Sequence, residues 1–466
     1  QVLGDLRSKT GMHVVTEIDP RTGALFSRNP FNTDFPGRIV FLDVNTKINS
    51  FTGDRTEFLG KNGSMTRPAA LARETLSNRI GAAMDPCAAI QVRIDLQDKE
   101  DVEIIFTCGA GQNVEDARSL VKRFRGSASA RTALEQVWSY WNHTLGVVHV
   151  ETEDKALDVL TNGWLLYQTL SCRMWARTGY YQSSGAYGFR DQLQDSMALI
   201  YAEPEIFREH LLRCASHQFV EGDVLHWWHP PFERGVRTHS SDDRLWLPLA
   251  AHRYVTTTGD VGVLNESTHF ITGGLLAPDE DSCYHLPARS AESGTLYEHC
   301  VRSIKRSLQF GRHGLPLMGT GDWNDGMNHV GYQGLGESVW NAFFLYDVLA
   351  KFKDIAHLFG DSAFAELCAS EAATLRENIR QSGWDGHWYL RAYFDNGDPL
   401  GSIANEECQI DSIPQSWSVL SGAGDPERSR EAMEEVDHRL VNRDNSLVQL
   451  LQPPFDRSSL DPGYIK

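Results

Sequence analysis

The spacing of apolar residues changes along the chain, and this change does most to restrict the possible folds. Up to about residue 110, apolar and polar residues alternate in short runs, clearest at 37–44, 88–96 and 101–107. A period of two, with turn-forming clusters between the runs, is typical of strands that have one polar face. This pattern therefore predicts an antiparallel β-sandwich over residues 1–110. Because the chain begins abruptly, we expect its first strands to be missing.

From about residue 113 the apolar spacing becomes helical. Asn113 is expected to cap a helix that begins at Val114, and a second helix begins at Thr132. Residues 111–150 are predicted to form a helical linker, and 151–466 a mostly helical domain. Its helices are predicted near 154–177, 191–201, 204–219, 241–257, 294–309, 337–353, 363–381, 411–421 and 426–440. Long polar loops between such helices favour a toroid of helix pairs, with the functional site at the end that carries the loops.

Composition limits the kinds of partner. The net charge of −18 argues against nucleic acid or anionic lipid as the main partner, since both require basic patches. A neutral sugar is compatible with such a surface. No apolar stretch is long enough to cross a bilayer and no signal peptide is visible, so we expect a cytoplasmic protein.

Cysteine and histidine spacing argues against a metal or organic cofactor. The eight cysteines form no CxxC pair, which favours reduced, buried thiols over disulfides or a metal site. The chain also lacks an HExxH motif, a P-loop and a dinucleotide-binding glycine fingerprint. The sequence therefore predicts neither a metal ion nor a cofactor.

One loop combines the residue types that sugar chemistry needs. Residues 319–328 hold two aspartates, an indole and several glycines. A carboxylic acid can protonate a leaving sugar oxygen, and an aromatic ring packs on the apolar face of a sugar. Asp325, Trp323 and Asn324 are therefore candidate site residues. The alternative is that the aspartates only cap the following turn.

Three further segments supply candidates for sugar binding. Arg190 and Asp191 precede an apolar helix and could hold sugar hydroxyls by charge-assisted hydrogen bonds, or could be a helix cap with a surface arginine. Arg237 and Asp243 lie near a Trp-Trp-His-Pro-Pro segment and are possible cleft residues, although Asp243 could equally cap a helix. Gln415 could face the same cleft from a third segment.

These segments, in this order after a β-rich start, resemble glycoside hydrolase family 94. The resemblance rests on Gly-Ala-Tyr-Gly-Phe-Arg-Asp-Gln-Leu-Gln-Asp, Gly-Thr-Gly-Asp-Trp-Asn-Asp-Gly-Met and Asn-Glu-Glu-Cys-Gln-Ile-Asp-Ser-Ile, and covers nearly the whole chain. It is strongest to the phosphorylase-like domain of cyclic β-1,2-glucan synthases and to 1,2-β-oligoglucan phosphorylases. It implies a β-sandwich, a helical linker and an (α/α)6 barrel.

The resemblance also implies roles for single residues. Asp325 falls on the general acid, Trp323 on a residue lining the sugar subsite, and Asp191, with Arg190 beside it, on the ligand of the non-reducing sugar. The implied reaction is inverting phosphorolysis of β-linked gluco-oligosaccharides, with β-1,2-glucan as the first candidate, phosphate as co-substrate and α-glucose 1-phosphate as product. To donate a proton near neutral pH, Asp325 should have a raised pKa.

The sequence departs from the family at two places. Gly185 stands where cellobiose phosphorylases have an arginine. The chain also stops at Lys466, before a family segment that supplies an acidic sugar ligand and a phosphate-binding histidine. We therefore expect a truncated barrel with an incomplete phosphate site. Its exposed apolar face should favour a homodimer or association with the rest of a larger synthase.

Two other functions remain open at this point. The chain could be a non-catalytic glucan-binding or chain-length-controlling domain of a cyclic β-1,2-glucan synthase, at the cytoplasmic face of the inner membrane. An inverting hydrolase would need a base opposite Asp325, and the sequence offers none that is compelling.

Overall fold

The computed structural model describes residues 7–33, 35–178, 184–277, 280–457, 459 and 461–466. Its contacts divide the chain into two compact units, Gln1–Thr144 and Leu145–Lys466. Most of the segment 111–150 falls in the first unit, and its role as a separate linker stays a prediction.

The first unit is built around antiparallel strands. Four of them form one sheet in the order β1-β2-β3-β6, and β4 pairs with β5. The strands are β1 Val15–Ile18, β2 Leu25–Arg28, β3 Ile39–Val44, β4 Ser50–Asp54, β5 Pro86–Gln91 and β6 Phe106–Gly111. The helices are α1 Arg7–Thr10, α2 Arg55–Leu59, α3 Val114–Phe124 and α4 Ser127–Leu145.

Alternation along β3 explains how this unit forms a core. Ile39 and Phe41 are buried, and helix α3 packs against them through Ala117 and Val121. The predicted cap is confirmed, since the Asn113 side chain accepts a hydrogen bond from the backbone N–H of Asp116 at 3.0 Å. The fold therefore uses the alternating face that the sequence shows.

One predicted strand is largely wrong. The alternating run 101–107 was expected to be a strand, but β6 begins only at Phe106. Phe106 pairs with Val44, the last residue of β3, so residues 101–105 lie beyond the end of the neighbouring strand. An alternating run forms a strand only where a neighbouring strand lies alongside it, and beyond Val44 the backbone of this run is hydrogen-bonded to a single residue, Asn45.

The second unit is rich in helices but also contains many strands. Its helices are α5 Lys155–Val159, α6 Leu165–Gln168, α7 Phe189–Met197, α8 Pro204–Ala215, α9 Trp246–Thr258, α10 Leu296–Ser307, α11 Val339–Phe359, α12 Ser362–Ser382, α13 Ser412–Leu420 and α14 Pro426–Arg439. The single long helix predicted near 154–177 is interrupted, because Asn162 and Gly163 leave the helical conformation and Gly163 has φ of 120°. A positive φ is accessible to glycine and ends the regular helix there.

Helix α11 is buried within this unit, and helix α12 packs against it. Ser338 caps the start of α11, and Gly360 ends the helix in the left-handed conformation with φ of 89°. Residues on nearly all sides of α11 are buried. The capped start of this buried helix is therefore a rigid support for the loops around it.

Most strands of the second unit lie in segments that the sequence interpretation assigned to loops, although β13 lies where the helix 337–353 was predicted to begin. They are β7 Tyr187–Gly188, β8 Leu225–His229, β9 Arg234–Thr238, β10 Ser267–Thr272, β11 Ser282–His285, β12 Ala288–Thr295, β13 Glu337–Ser338, β14 Ala392–Tyr393, β15 Pro399–Leu400, β16 Ile410–Asp411, β17 Val441–Asn442, β18 Leu447–Val448 and β19 Leu451–Gln452. One sheet has the order β11-β9-β8-β7. Its central hairpin, β8–β9, carries the Trp-Trp segment and ends beside the loop 319–328.

No helix in the described part of the chain combines the length and apolar character needed to cross a membrane.

Candidate functional site

The loop 319–328 is held in one shape by its glycines and by Asn324. Gly319 has φ of 62°, and a Cβ there would lie 2.1 Å from the backbone oxygen of His239. The side chain of Asn324 accepts a hydrogen bond from the backbone N–H of Gly326 at 3.0 Å and starts a single 3₁₀ turn, Asp325–Met327. The loop therefore presents its two aspartates in fixed and different directions.

Asp322 points into the protein. Its two carboxylate oxygens accept hydrogen bonds from Arg391, each at 2.6 Å, and Oδ2 also accepts one from the Ser338 hydroxyl at 2.7 Å. All three side chains are buried. Asp322 therefore ties the loop to the start of α11 and is unavailable to a ligand.

Asp325 points the other way, into an open cleft. Its side chain is 40% exposed, and Oδ1 accepts a hydrogen bond from Arg190 Nη2 at 2.6 Å. Oδ2 lies 3.6 Å from Nε2 of His226. This is the geometry expected of a carboxyl group that meets substrate while its neighbours hold its orientation.

Arg190 is itself locked in place. Its side chain is 7% exposed, and Nη1 donates to Asp242 Oδ1 at 3.0 Å and to the backbone oxygen of Asp322 at 2.9 Å. Asp242 is held in turn by the indole N–H of Trp246, at 3.0 Å. Because Arg190 cannot swing away, the position of Asp325 Oδ1 is determined by helix α7, on which Arg190 lies.

His226 reaches the site from strand β8. Its Nδ1 lies 2.7 Å from Oδ2 of the buried Asp243. Burial acts to lower the pKa of His226, but the charges of Asp243 and Asp325 outweigh burial and raise this pKa to about 10. The imidazole is therefore a cation at neutral pH.

The same charges act in the opposite direction on the acid. Burial acts to raise the pKa of Asp325, but His226 and Arg190 outweigh it and lower the pKa below its ordinary value. The sequence-based expectation of a raised pKa is thus wrong for the chain without ligands. Two cations, Arg190 and His226, lie beside Asp325. His226 lies on β8, and its position in the sequence gave no indication that it would be close to Asp325.

The cleft in front of Asp325 has a volume of about 440 Å³. It is lined by His226, Trp227, Val236, Thr238, Ser240, Asp281, Ser282, Thr320, Asp325, Asn328 and Tyr464. Trp323 is not among these lining residues; it lies two positions before Asp325 in the chain, with 43% of its surface exposed. Hydroxyls, an indole and carboxylates around a half-open cleft of this size suit a sugar ring.

The chain segment that ends at Lys466 packs against the loop 319–328, here called the acid loop. The backbone N–H of Ile465 donates to the oxygen of Gly326 at 2.8 Å, and that of Tyr464 donates to the side chain of Asn328 at 3.1 Å. This segment therefore supports the turn that carries Asp325 and places Tyr464 in the cleft wall.

The structure brings together only some of the residues that the sequence suggested. Arg190, Asp243 and Asp325 form one cluster, and Asp191 lies beside it with its Oδ1 3.8 Å from Arg190 Nε. Asp243 is buried, and it contributes to the cluster by its 2.7 Å contact with Nδ1 of His226.

Two candidates lie elsewhere. Arg237 is buried, pairs with Asp223 and Glu221, and stacks on Phe219 at 3.7 Å. Gln415 is buried and hydrogen-bonds to the backbone of Tyr389 at 2.8 and 2.7 Å. Both side chains support the fold, and neither is among the residues that line the cleft.

Sequence analysis passed over two residues of the cluster, His226 and Asp242. His226 directly precedes the Trp-Trp-His-Pro-Pro segment, and nothing in the sequence marked it as a neighbour of Asp325. An alternating strand through 225–229 would have placed His226 and Trp228 on one face, but the sequence gave no reason to pair that strand with the acid loop.

Two family models match this chain. The catalytic domain of the glycosyl hydrolase 94 superfamily matches residues 140–466, and the glycosyl hydrolase 94 supersandwich domain matches residues 2–127. The chain belongs to the glycosyl hydrolase 94 superfamily. The resemblance predicted from its motifs is confirmed, and the N-terminal β-rich unit corresponds to the supersandwich domain.

Curated relatives carry related names. The cyclic beta-(1,2)-glucan synthase NdvB of Rhizobium meliloti is 41% identical over 100% of this chain, which covers 16% of that protein. Solabiose phosphorylase of Paenibacillus borealis is 28% identical over 91% of the chain and 52% of its own length. N,N'-diacetylchitobiose phosphorylase of Vibrio proteolyticus is 25% identical over 93% and 55%. The chain thus spans about half the length of these phosphorylases and a smaller part of the synthase.

A solved structure shares the fold at low identity. A bacterial glucoamylase complexed with acarbose superimposes with a TM-score of 0.53 and 13% identity, over 92% of this chain and 60% of that one. At this identity the likeness concerns the fold alone.

Proposed function

We propose that this chain carries the acid side of a phosphorylase site, in which Asp325 protonates the bond oxygen of a β-linked gluco-oligosaccharide while phosphate attacks the anomeric carbon. The products would be α-glucose 1-phosphate and a shortened glucan. The substrate that we favour is β-1,2-glucan, as the name of the 41% identical relative suggests.

The observation that supports this proposal best is the contrast in exposure within one loop. Asp322 is fully buried and ion-paired, whereas Asp325 is 40% exposed at a cleft and is held by Arg190 at 2.6 Å. A phosphorylase needs one positioned acid and no base to activate water, because phosphate is already an anionic nucleophile. Arg190 would also stabilise the carboxylate that forms when Asp325 gives up its proton.

We expect two residues beyond those that line the cleft to contact the sugar as well. Trp323 offers an aromatic face, and Asp191 at the start of α7 offers a carboxylate for sugar hydroxyls. Neither an (α/α)6 closure of the helices nor a dimer is tested by these observations, and both stay predictions. The same holds for a place in the cytoplasm or at the cytoplasmic face of the inner membrane.

The test is phosphate-dependent release of glucose 1-phosphate from β-1,2-oligoglucosides by this chain. We expect Asp325→Asn to reduce release by about 10²- to 10⁴-fold, the usual contribution of a general acid. Asp354→Asn is the matched control, because this substitution removes the same charge from a side chain that is 67% exposed on helix α11. Unchanged release in Asp325→Asn would show that the acid has been assigned to the wrong residue.

Calorimetry separates this function from a non-catalytic glucan-binding or chain-length-controlling domain. β-1,2-glucan is titrated into the chain with and without phosphate. A phosphorylase site predicts that each ligand changes the affinity of the other, since both meet at one anomeric carbon. Glucan binding that is indifferent to phosphate would favour the binding domain.

A further inference from the structure

A second cavity adjoins the cleft in front of Asp325. It has a volume of about 320 Å³, and Thr238 and Thr320 line both cavities. Asp325 does not line this second cavity, whereas Arg244 and Arg306 do. We call it the arginine pocket. It lies outside the site described above, and the inference drawn from it goes beyond the proposed function.

Arg244 is a partly buried cation whose hydrogen bonds go only to neutral groups. Its Nε donates to the hydroxyl of Ser307 at 2.8 Å, and its Nη1 donates to the backbone oxygen of Ser240 at 3.1 Å. No described residue accepts a hydrogen bond from Nη2. These contacts fix the guanidinium and leave one of its nitrogens uncommitted.

The comparison with other arginines of the second unit shows what Arg244 lacks. Arg190, Arg237 and Arg391 are buried, and each lies 2.6 Å from an aspartate oxygen. Burial lowers the pKa of Arg244 to about 10, because nearby aspartates offset burial only in part, and the side chain is still charged at neutral pH. A desolvated cation is favourable only with an anion beside it. An anion is therefore the ligand that this side chain requires.

Other groups in the pocket favour the same kind of ligand. Arg306 is exposed near the end of α10, and its side chain forms no ion pair or hydrogen bond with a described residue. The hydroxyl of Thr320 likewise has no partner among the described residues. Asp223 is the one carboxylate among the described lining residues, and both its oxygens are engaged by Arg237 at 2.6 and 2.7 Å. The pocket is thus rich in free donors and poor in free acceptors.

We propose that the arginine pocket binds a phosphate group through Arg244, Arg306 and Thr320. Guanidinium groups bind phosphate oxygens by charge-assisted hydrogen bonds, and Arg244 is already oriented for such a contact. A carboxylate has two oxygens to share among these three donors, whereas a phosphate group has at least three. The phosphate group can belong to free inorganic phosphate or to the phosphate ester of a sugar, because the pocket shares Thr238 and Thr320 with the cleft.

Calorimetry with inorganic phosphate tests the pocket without requiring activity. The titration is done at constant ionic strength in a buffer free of phosphate and sulfate. The net charge of −18 repels anions in general, so binding that depends on a single arginine reports a local site. We expect Arg306→Gln to weaken phosphate binding by about 10- to 100-fold, the loss of one charged hydrogen bond.

Arg253→Gln is the matched control. It removes the same charge from an exposed side chain on α9 that lines neither cavity, and it should leave the affinity for phosphate unchanged. Equal affinities in Arg306→Gln and Arg253→Gln, or no phosphate binding by the unchanged chain, would overturn the proposal.

The same titration with glucose 1-phosphate, glucose and acetate distinguishes the sources of the anion. If the ligand is free phosphate, glucose 1-phosphate should bind no more tightly than inorganic phosphate. If it is a sugar ester, glucose 1-phosphate should bind more tightly than phosphate or glucose alone, and Arg306→Gln should still weaken it. Acetate that binds as tightly as phosphate and depends on Arg306 would refute the choice of a phosphate group.

A substitution of the second arginine tests whether its planar group matters. Arg244→Lys keeps the charge but loses the two-pronged contact, so it should also weaken phosphate binding. Thermal denaturation checks that the variant folds. Phosphate should raise the Tm of the unchanged chain and raise that of Arg306→Gln by less, because a ligand stabilises only a protein that binds it. Phosphate affinity that is the same in folded Arg244→Lys as in the unchanged chain would contradict the role of Arg244.

Asp325→Asn separates this pocket from the proposed phosphorylase site. Asp325 does not line the pocket, so the variant should retain phosphate binding that depends on Arg306 while it loses glucose 1-phosphate release. If the unchanged chain releases no glucose 1-phosphate, the proposed function is rejected and the calorimetric test of the pocket still stands.

Discussion

Two aspartates three residues apart in one loop have opposite environments. Asp322 is fully buried with Arg391, and Asp325 is 40% exposed with Arg190. Both form 2.6 Å contacts to an arginine, so the type of pair does not separate them. What differs is access to solvent, which makes one pair a structural anchor and leaves the other free to react with a ligand.

The largest effect is expected from removing the buried cation. Arg391→Met leaves Asp322 and Asp411 buried without their shared partner. Breaking a buried ion pair in this way should lower the free energy of unfolding by about 3 to 5 kcal/mol, measured by urea denaturation. A loss below about 1 kcal/mol would mean that the Asp322 side of the loop is no anchor.

The two sides of the loop should also respond differently to pH. The pKa of His226 is raised to about 10 in the folded chain, above its ordinary value, so its contribution to stability is complete below about pH 6.5 and is lost as pH rises towards 10. Asp322 has a lowered pKa, and its contribution is lost only in acid. Urea denaturation between pH 7 and 10 should show a decline in stability that is shallower in His226→Gln. Parallel declines in the two proteins would contradict the raised pKa.

A matched pair of substitutions sharpens the comparison directly. Asp322→Asn weakens charged hydrogen bonds in the interior and should cost about 1.5 to 3 kcal/mol of stability. Asp325→Asn changes a half-exposed side chain whose contacts with Arg190 and His226 are screened by solvent, so it should cost less stability than Asp322→Asn. Equal losses in the two variants would show that the division of roles is wrong.

The last comparison concerns the glycine at the start of the loop 319–328. Gly319→Ala adds a Cβ 2.1 Å from a backbone oxygen of His239 at a positive φ. Gly334→Ala is the control, since Gly334 also has a positive φ, 83°, but its Cβ meets open space. Both should lose about 1 kcal/mol through backbone strain, and Gly319→Ala more, in thermal denaturation. An equally small loss in both would mean that the loop adapts at Gly319.

The sequence was informative wherever the signal is local. Alternation predicted β3 and the cap predicted α3, because both depend on residues within a few positions of each other. The acid loop was recognised from its own residues. The candidates Arg237 and Gln415 show the limit of this reasoning, since polar side chains near a site in sequence are equally suited to bind a buried backbone or a buried carboxylate.

By itself, the sequence determined the change from a strand-rich to a helix-rich region, the superfamily and the loop that carries Asp325. Only the tertiary structure decided that Asp322 is the buried aspartate and that His226 faces the acid. Asp322 meets an arginine 69 residues away, and Asp325 meets one 135 residues away. Burial and electrostatic pairing depend on such distant neighbours, whereas the spacing of apolar residues and the capping of helices depend on close ones.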